Sequence, residues 1–293
     1  MKIRKKLKWI LLTFSLTLIA CLSFGKVKAA EMKAYTSQSV GFLEERYQMV
    51  EKISDHKIAF INNSSLDIYD TNLKSFISKN DIEIKIQPNC HKGAYIDGFI
   101  YYFSSSSGTD TPYLNKLNIT TLENSTYSLT TSSSNYPSLY NFNNELIVFL
   151  RKSSGIEIQS IEKTSGTSTT IYSNANISGM YKSPALNSEG EFIFLTNNKE
   201  LFSIDIINNI LNVKTSLLSI NSTTTGGTLD ILGDYLFAPV DLTYSIYATN
   251  IKTFEQSIFA NLGIGNYSYK TIAMGNEVYF IPCASNCSIQ CVT

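Results

Sequence analysis

Five cysteines, with Cys21 alone among the first thirty residues, two histidines and a handful of carboxylates are the residues of this 293-residue chain whose types could do chemistry. Cys283, Cys287 and Cys291 follow one another at a C-x3-C-x3-C spacing in the last eleven residues, and Cys90 stands alone beside His91. A zinc site would ask for two-residue spacers or a nearby histidine pair, and only His56 and His91 exist, so no metal and no cofactor is expected. In an exported chain the same cysteines read as disulfide candidates, with three pairings open to four thiols. Cys90 and His91, as chain neighbours, would point to opposite faces of a strand and make no thiol–imidazole pair. Pro88 to Gly93 then reads as a surface turn. No glycine-rich phosphate loop, nucleophile elbow or calcium loop is present. Carboxylates that could act on a polysaccharide would have to converge from strands lining a channel, and Asp230 and Glu51 are the two candidates for that role.

The charges divide the chain in two. Overall 24 Lys and Arg balance 24 Asp and Glu. Seven of the bases lie within residues 1 to 29, which hold no acid, so 24 minus 7 leaves 17 bases against 24 acids from Ala30 onward. That body, at −7, lacks the basic face a nucleic acid needs. Hydrophobic content of 43% excludes a disordered chain.

Residues 1 to 29 read as a signal peptide: a basic start to Lys8, an apolar run from Trp9 to Gly25, and Val27-Lys28-Ala29 before a cleavage between Ala29 and Ala30. Two alternatives keep a membrane tether. The apolar run could stay as an uncleaved anchor, or Leu18-Ile19-Ala20-Cys21 could act as a lipobox with Cys21 acylated. All three readings export the body to a secreted or cell-surface location.

The elements that must position any site repeat. An apolar triplet recurs as Ile58-Ala59-Phe60, Phe99-Ile100-Tyr101, Leu146-Ile147-Val148, Phe192-Ile193-Phe194, Tyr235-Leu236-Phe237 and Val278-Tyr279-Phe280, at an average step of about 44 residues. Gly, Asn or Asp precedes each triplet, as in Asp97-Gly98 and Asn143-Asn144, and marks a tight turn. Ten to sixteen residues into each unit comes an alternating segment closing on a polar residue, Asp70, Asn118, Glu162, Asp205, Asn250 and Thr293 in turn. Units starting near 50, 94, 138, 184, 228 and 271, each of four short antiparallel strands, predict an all-β, six-bladed propeller over residues 30 to 293. The sixth unit ends on its third strand, so the segment around Met32 to Leu43 is expected to supply the fourth and close the ring. Phe42 to Ser54 could instead form a short helix, with Leu43, Tyr47 and Val50 at helical spacing. A β-sandwich or barrel is the alternative architecture, but it does not explain the joint recurrence of turn, triplet and alternating segment.

Where the repeat is clearest, Asp97-Gly98-Phe99-Ile100-Tyr101-Tyr102-Phe103 followed by Leu114-Asn115-Lys116-Leu117-Asn118, it resembles low-density-lipoprotein-receptor-like propeller domains of unknown function in exported bacterial proteins. The resemblance implies six blades. The Tyr-Trp-Thr-Asp tetrapeptide of the receptor type is absent, so no receptor role follows. The aromatic register Phe60, Tyr101, Phe194, Phe237 and Phe280 is expected to pack between blades. The functional expectation is a binding or scaffolding module for a protein or glycan, with Ser104 to Thr111 as the longest loop and first place to look. The alternative is a polysaccharide-active hydrolase or lyase using Asp230 and Glu51.

Overall fold

The computed structural model describes residues 35–87, 90, 92–105, 112–128, 136–152, 155–177, 183–196, 200–215, 227–240, 245–261 and 269–293. Residues 1 to 34, with Cys21, Ala29 and Ala30, lie outside the described residues, as do His91 and 106–111 of the long loop. Among the described residues no helix is long and apolar enough to cross a membrane.

Two strands lead in, β1 (Tyr35–Thr36) and β2 (Gln38–Leu43). Six sheets follow. Blade 1 is β3 (Met49–Ser54), β4 (Lys57–Ile61), β5 (Ser65–Asp70) and β6 (Ser75–Asp81). Blade 2 is β7 (Ala94–Ile96), β8 (Phe99–Ser105), β9 (Pro112–Asn118) and β10 (Asn124–Ser128). Blade 3 is β11 (Tyr136–Phe142), β12 (Glu145–Lys152), β13 (Gly155–Ile161) and β14 (Ser168–Asn174). Blade 4 is β15 (Ala185–Leu186), β16 (Glu191–Leu195), β17 (Leu201–Asp205) and β18 (Ile210–Thr215). Blade 5 is β19 (Asp230–Leu232), β20 (Tyr235–Val240), β21 (Ser245–Asn250) and β22 (Gln256–Asn261), with β1 added in parallel on β22. Blade 6 is β23 (Tyr269–Met274), β24 (Glu277–Pro282) and β25 (Cys287–Val292), and its fourth strand is β2.

The N-terminal strand therefore closes the ring as expected. β2 pairs antiparallel with β25, from Gln38 opposite Cys291 to Leu43 opposite Cys287. The helix considered over Phe42 to Ser54 does not form. Leu43 ends β2, Tyr47 lies in the connection, and Val50 is the second residue of β3. All three are buried, because β pairing on either side already satisfies the backbone a helix would have had to satisfy internally.

The recurring residue types have local causes. In the turns before the second strands, Asp97 and Gly98 both take positive φ (52° and 85°), as do Asn143 and Asn144 (51° and 66°), the geometry of a type I′ hairpin. In blades 1 to 5 the polar residue closing the third strand caps the next turn. Asp70 Oδ1 accepts from the N–H groups of Asn72 and Leu73, and Asn118 Oδ1 from Thr120 and Thr121. Glu162, Asp205 and Asn250 repeat the arrangement with their own i+2 and i+3 N–H groups. The apolar triplets run without alternation because both faces of each blade are covered by neighbours. In β4, Ile58 and Phe60 pack with Tyr279 and Ile281 of blade 6, whereas Ala59 and Ile61 join a cluster with Phe103 and Leu114 of blade 2. Phe192 and Phe194 face blade 3 in the same way, and Ile193 faces blade 5. The five ring positions Phe60, Tyr101, Phe194, Phe237 and Phe280 are all buried.

Candidate functional site

The first strand of every blade, β3, β7, β11, β15, β19 and β23, lies innermost. At the N-terminal ends of these strands the blades are stitched to one another around the axis. Glu51 Oε1 accepts the Gly93 N–H at 2.6 Å, and the Leu139 N–H donates to the Lys92 carbonyl at 3.0 Å. Ser138 Oγ and Ser183 Oγ are 2.7 Å apart, and the Tyr140 hydroxyl donates to the Pro184 carbonyl at 2.7 Å. The Leu229 N–H donates to Ser183 O at 3.1 Å. The Thr271 N–H donates to Thr228 Oγ1 at 3.0 Å, the Ala273 N–H to Asp230 Oδ2 at 2.8 Å, and the Lys270 ammonium to the Gln48 carbonyl. Every junction of the ring thus carries at least one hydrogen bond. Glu51, Ser138, Ser183, Thr228, Lys270 and Thr271 are all 9% exposed or less, so this end of the channel is filled by side chains.

Beyond the filled end lies a cavity of about 320 Å³ to which all six blades contribute. Val50 to Asp55 of blade 1, Lys92 to Tyr95 of blade 2, Tyr140 and Asn141 of blade 3, Leu186, Asp230 and Ile272 form its wall. Asp55, in the β3–β4 turn, is fully exposed, so the cavity opens on the face that carries the first turns of the blades.

Glu51 and Asp230, the two sequence candidates, are brought into this one cavity. Burial pushes the Glu51 carboxyl up to about 7, against the opposing pull of Lys92, the Gly93 N–H and Lys270. Burial also raises Asp230, against the pull of Lys92, the Ala273 and Ile231 N–H groups and Lys52. Asp230 spends Oδ1 on Ile231 and Oδ2 on Ala273. Glu51 spends only Oε1 on a described residue. Lys92 is the strongest cationic influence on both carboxylates, and its Nζ stands 5.3 Å from the centre of the Tyr140 ring. Gly93 permits this geometry: a Cβ there would lie 2.5 Å from Met49 Sδ and 2.6 Å from the Tyr101 carbonyl oxygen.

The turn expected over Pro88 to Gly93 carries a Cys90 N–H to Gln87 carbonyl hydrogen bond of 2.8 Å, but it is not on the surface at Cys90. Cys90 is 1% exposed in the core between blades 1 and 2, and Lys92 bridges to Ser138 on the channel. Lys92 and Lys270 were missed because only comparison of inner-strand starts would have aligned them with Ser138, Ser183 and Thr228. The long loop after Ser105 begins at the opposite end of β8 from the Asp97-Gly98 turn.

The remaining thiols are spread through the fold. Cys90, Cys283, Cys287 and Cys291 are all unbridged. Cys283 and Cys287 are half-buried at the two ends of one turn, and Cys291 is buried in the core between blades 6 and 1. No group of three or more His, Cys, Asp or Glu among the described residues is placed to hold a metal ion.

No protein-family model matches the chain, and no curated protein matches it. Solved structures do. A B. thetaiotaomicron extracellular domain superposes with a TM-score of 0.52 at 11% identity, over 88% of this chain and 34% of that one. A nidogen/laminin complex gives a TM-score of 0.53 at 10% identity, over 73% of this chain and 79% of the other. The chain is a six-bladed propeller by its own sheet order. At these identities the likeness is one of fold, and the chain spans about a third of the length of the bacterial structure.

Proposed function

We propose that this propeller is an exported binding module that takes a protein or glycan ligand at the open mouth of its axial channel. The observation that carries the reading is the convergence of all six blades on one polar cavity, closed at one end by hydrogen-bonded side chains and open at the other. A blind polar cavity on the axis of a rigid ring is a place where binding geometry is set by the scaffold rather than by loops. Export is supported by the basic and apolar character of residues 1 to 29, with cleavage between Ala29 and Ala30, or by retention through Cys21. The extracellular origin of the B. thetaiotaomicron domain agrees with it. The test is a glycan and peptide binding screen on residues 30 to 293, in which a retained glycan or peptide class supports the module and a silent screen overturns it.

A second reading, a polysaccharide-active hydrolase or lyase, rests on Glu51 and Asp230 lining the same cavity. Acid–base chemistry of this kind needs one carboxyl protonated and the other ionised. Against it, both Asp230 oxygens are committed to backbone N–H groups. Release of reducing ends from a polysaccharide panel that disappears in both Glu51→Gln and Asp230→Asn would establish the enzyme in place of the module.

A further inference from the structure

Within the cavity one acceptor and one donor are left without a described partner, and they belong to side chains of opposite charge. Glu51 is 6% exposed and lines the cavity, and its Oε2 makes no hydrogen bond to a described residue. A carboxylate oxygen at the wall of a cavity is an acceptor for a donor that enters. Lys92 lines the same cavity, and its ammonium makes no ion pair or hydrogen bond to a described residue, meeting only the Tyr140 ring. An ammonium has three donors and no acceptor. Opposite charges lining one cavity disfavour a strongly charged ligand, since either sign would meet one like charge. What the pair suits is a neutral group that donates at one atom and accepts at the next. Adjacent hydroxyls on a sugar ring have that chemistry.

We propose, on the basis of the binding-module reading above, that the cavity is a subsite for a single neutral sugar ring, one hydroxyl donating to Glu51 Oε2 and the neighbouring hydroxyl accepting from Lys92 Nζ. The size agrees: about 320 Å³ is at the small end of ligand sites, which run from roughly 300 to 1,000 Å³, so one ring fits and a longer glycan must extend out past Asp55. Val50 and Ile272 of the adjacent blades 1 and 6 supply apolar lining on one side against which the ring's C–H face can lie. Lys52 is already drawn to Asp55 at the rim, 3.7 Å away, and leaves the floor to Glu51 and Lys92.

The experiment is calorimetry and ligand-observed NMR on residues 30 to 293 with methyl β-galactopyranoside, methyl β-glucopyranoside, methyl α-mannopyranoside and, as a one-hydroxyl control, cyclohexanol. At least one glycoside binds and cyclohexanol does not. Lys92→Met and Glu51→Gln each weaken that binding about tenfold or more, consistent with loss of a charge-assisted hydrogen bond. Lys92→Met removes no hydrogen bond between described side chains, so it keeps the test readable if Glu51→Gln disturbs the blade junction. Binding of no glycoside, or binding unchanged in both variants, overturns the subsite. If the unmodified domain still retains a longer glycan or a peptide in the broader screen, only the subsite falls and the module reading stands. Silence in both screens overturns the two together.

Discussion

Glu51 Oε1 lies 2.6 Å from the Gly93 nitrogen, so blades 1 and 2 are joined at the channel by a buried carboxylate and a glycine N–H. The carboxylate is thus a structural clamp through Oε1, while Oε2 makes no hydrogen bond to a described residue.

The first prediction concerns pH. The Glu51 carboxyl is raised to about 7 by burial, from an ordinary value of 4.5, with Lys92, Lys270 and the Gly93 N–H pulling it down and Asp230 pushing it up. A raised acid binds its proton more tightly in the folded state. Its contribution is fully present below about pH 4.5 and is lost as pH rises through 7. Asp230, raised in the same direction, adds to the slope. Thermal or denaturant unfolding between pH 5 and 8 is expected to show stability falling with pH by up to about 3 kcal/mol from Glu51. Glu51→Gln flattens that dependence; an unchanged slope in this variant would refute the assignment.

Gly93 and Gly98 make a paired test of close approach against turn conformation. Alanine at 93 places a Cβ against the Tyr101 carbonyl and Met49 Sδ, and is expected to cost about 3 kcal/mol. Alanine at 98 meets nothing within 4 Å and suffers only the positive φ of 85°, about 1 kcal/mol. Equal losses in urea denaturation would show that the Glu51 junction can relax.

Ring closure depends on β2. Its backbone pairs with β25, and the buried Tyr69 hydroxyl donates to the Val40 carbonyl at 2.8 Å, which also ties β2 to blade 1. Tyr69→Phe should lower stability by about 1 kcal/mol with cooperative unfolding retained. Removing residues through Leu43 uncovers the β25 edge, and the expected outcome is self-association in light scattering. A monomeric, cooperatively folded truncation would show that closure is dispensable.

Thiol reactivity separates the cysteines. Burial pushes Cys90 and Cys291 up to about 11, and both are shielded. Cys283 and Cys287 flank one turn and are half-buried. Alkylation and peptide mapping of the folded protein are expected to label Cys283 and Cys287 first, with Cys90 and Cys291 labelled only after unfolding. Ready labelling of Cys90 in the folded protein would contradict its place in the core.

Much of the blade plan was readable from short-range signals. Asp97-Gly98 and Asn143-Asn144 mark hairpins because few other residues tolerate positive φ, and Asp70, Asn118 and Asp205 mark turns because each caps N–H groups two and three residues on. Leu43, Tyr47 and Val50 misled at the same range. Their helical spacing arises from a strand, a connection and another strand that happen to bury residues at those intervals.

The sequence by itself determined the repeat, the number of blades and the need for an N-terminal strand, since period, turn chemistry and alternation are properties of neighbouring residues. Glu51 and Asp230 could be named as carboxylates on inner strands for the same reason. Only the tertiary structure decided that they share a cavity with Lys92, that Lys270 is buried behind them, and which face of the ring is open. Those facts depend on contacts between residues as far apart as Gln48 and Lys270, whose meeting is set by closure of the whole ring and by no local pattern.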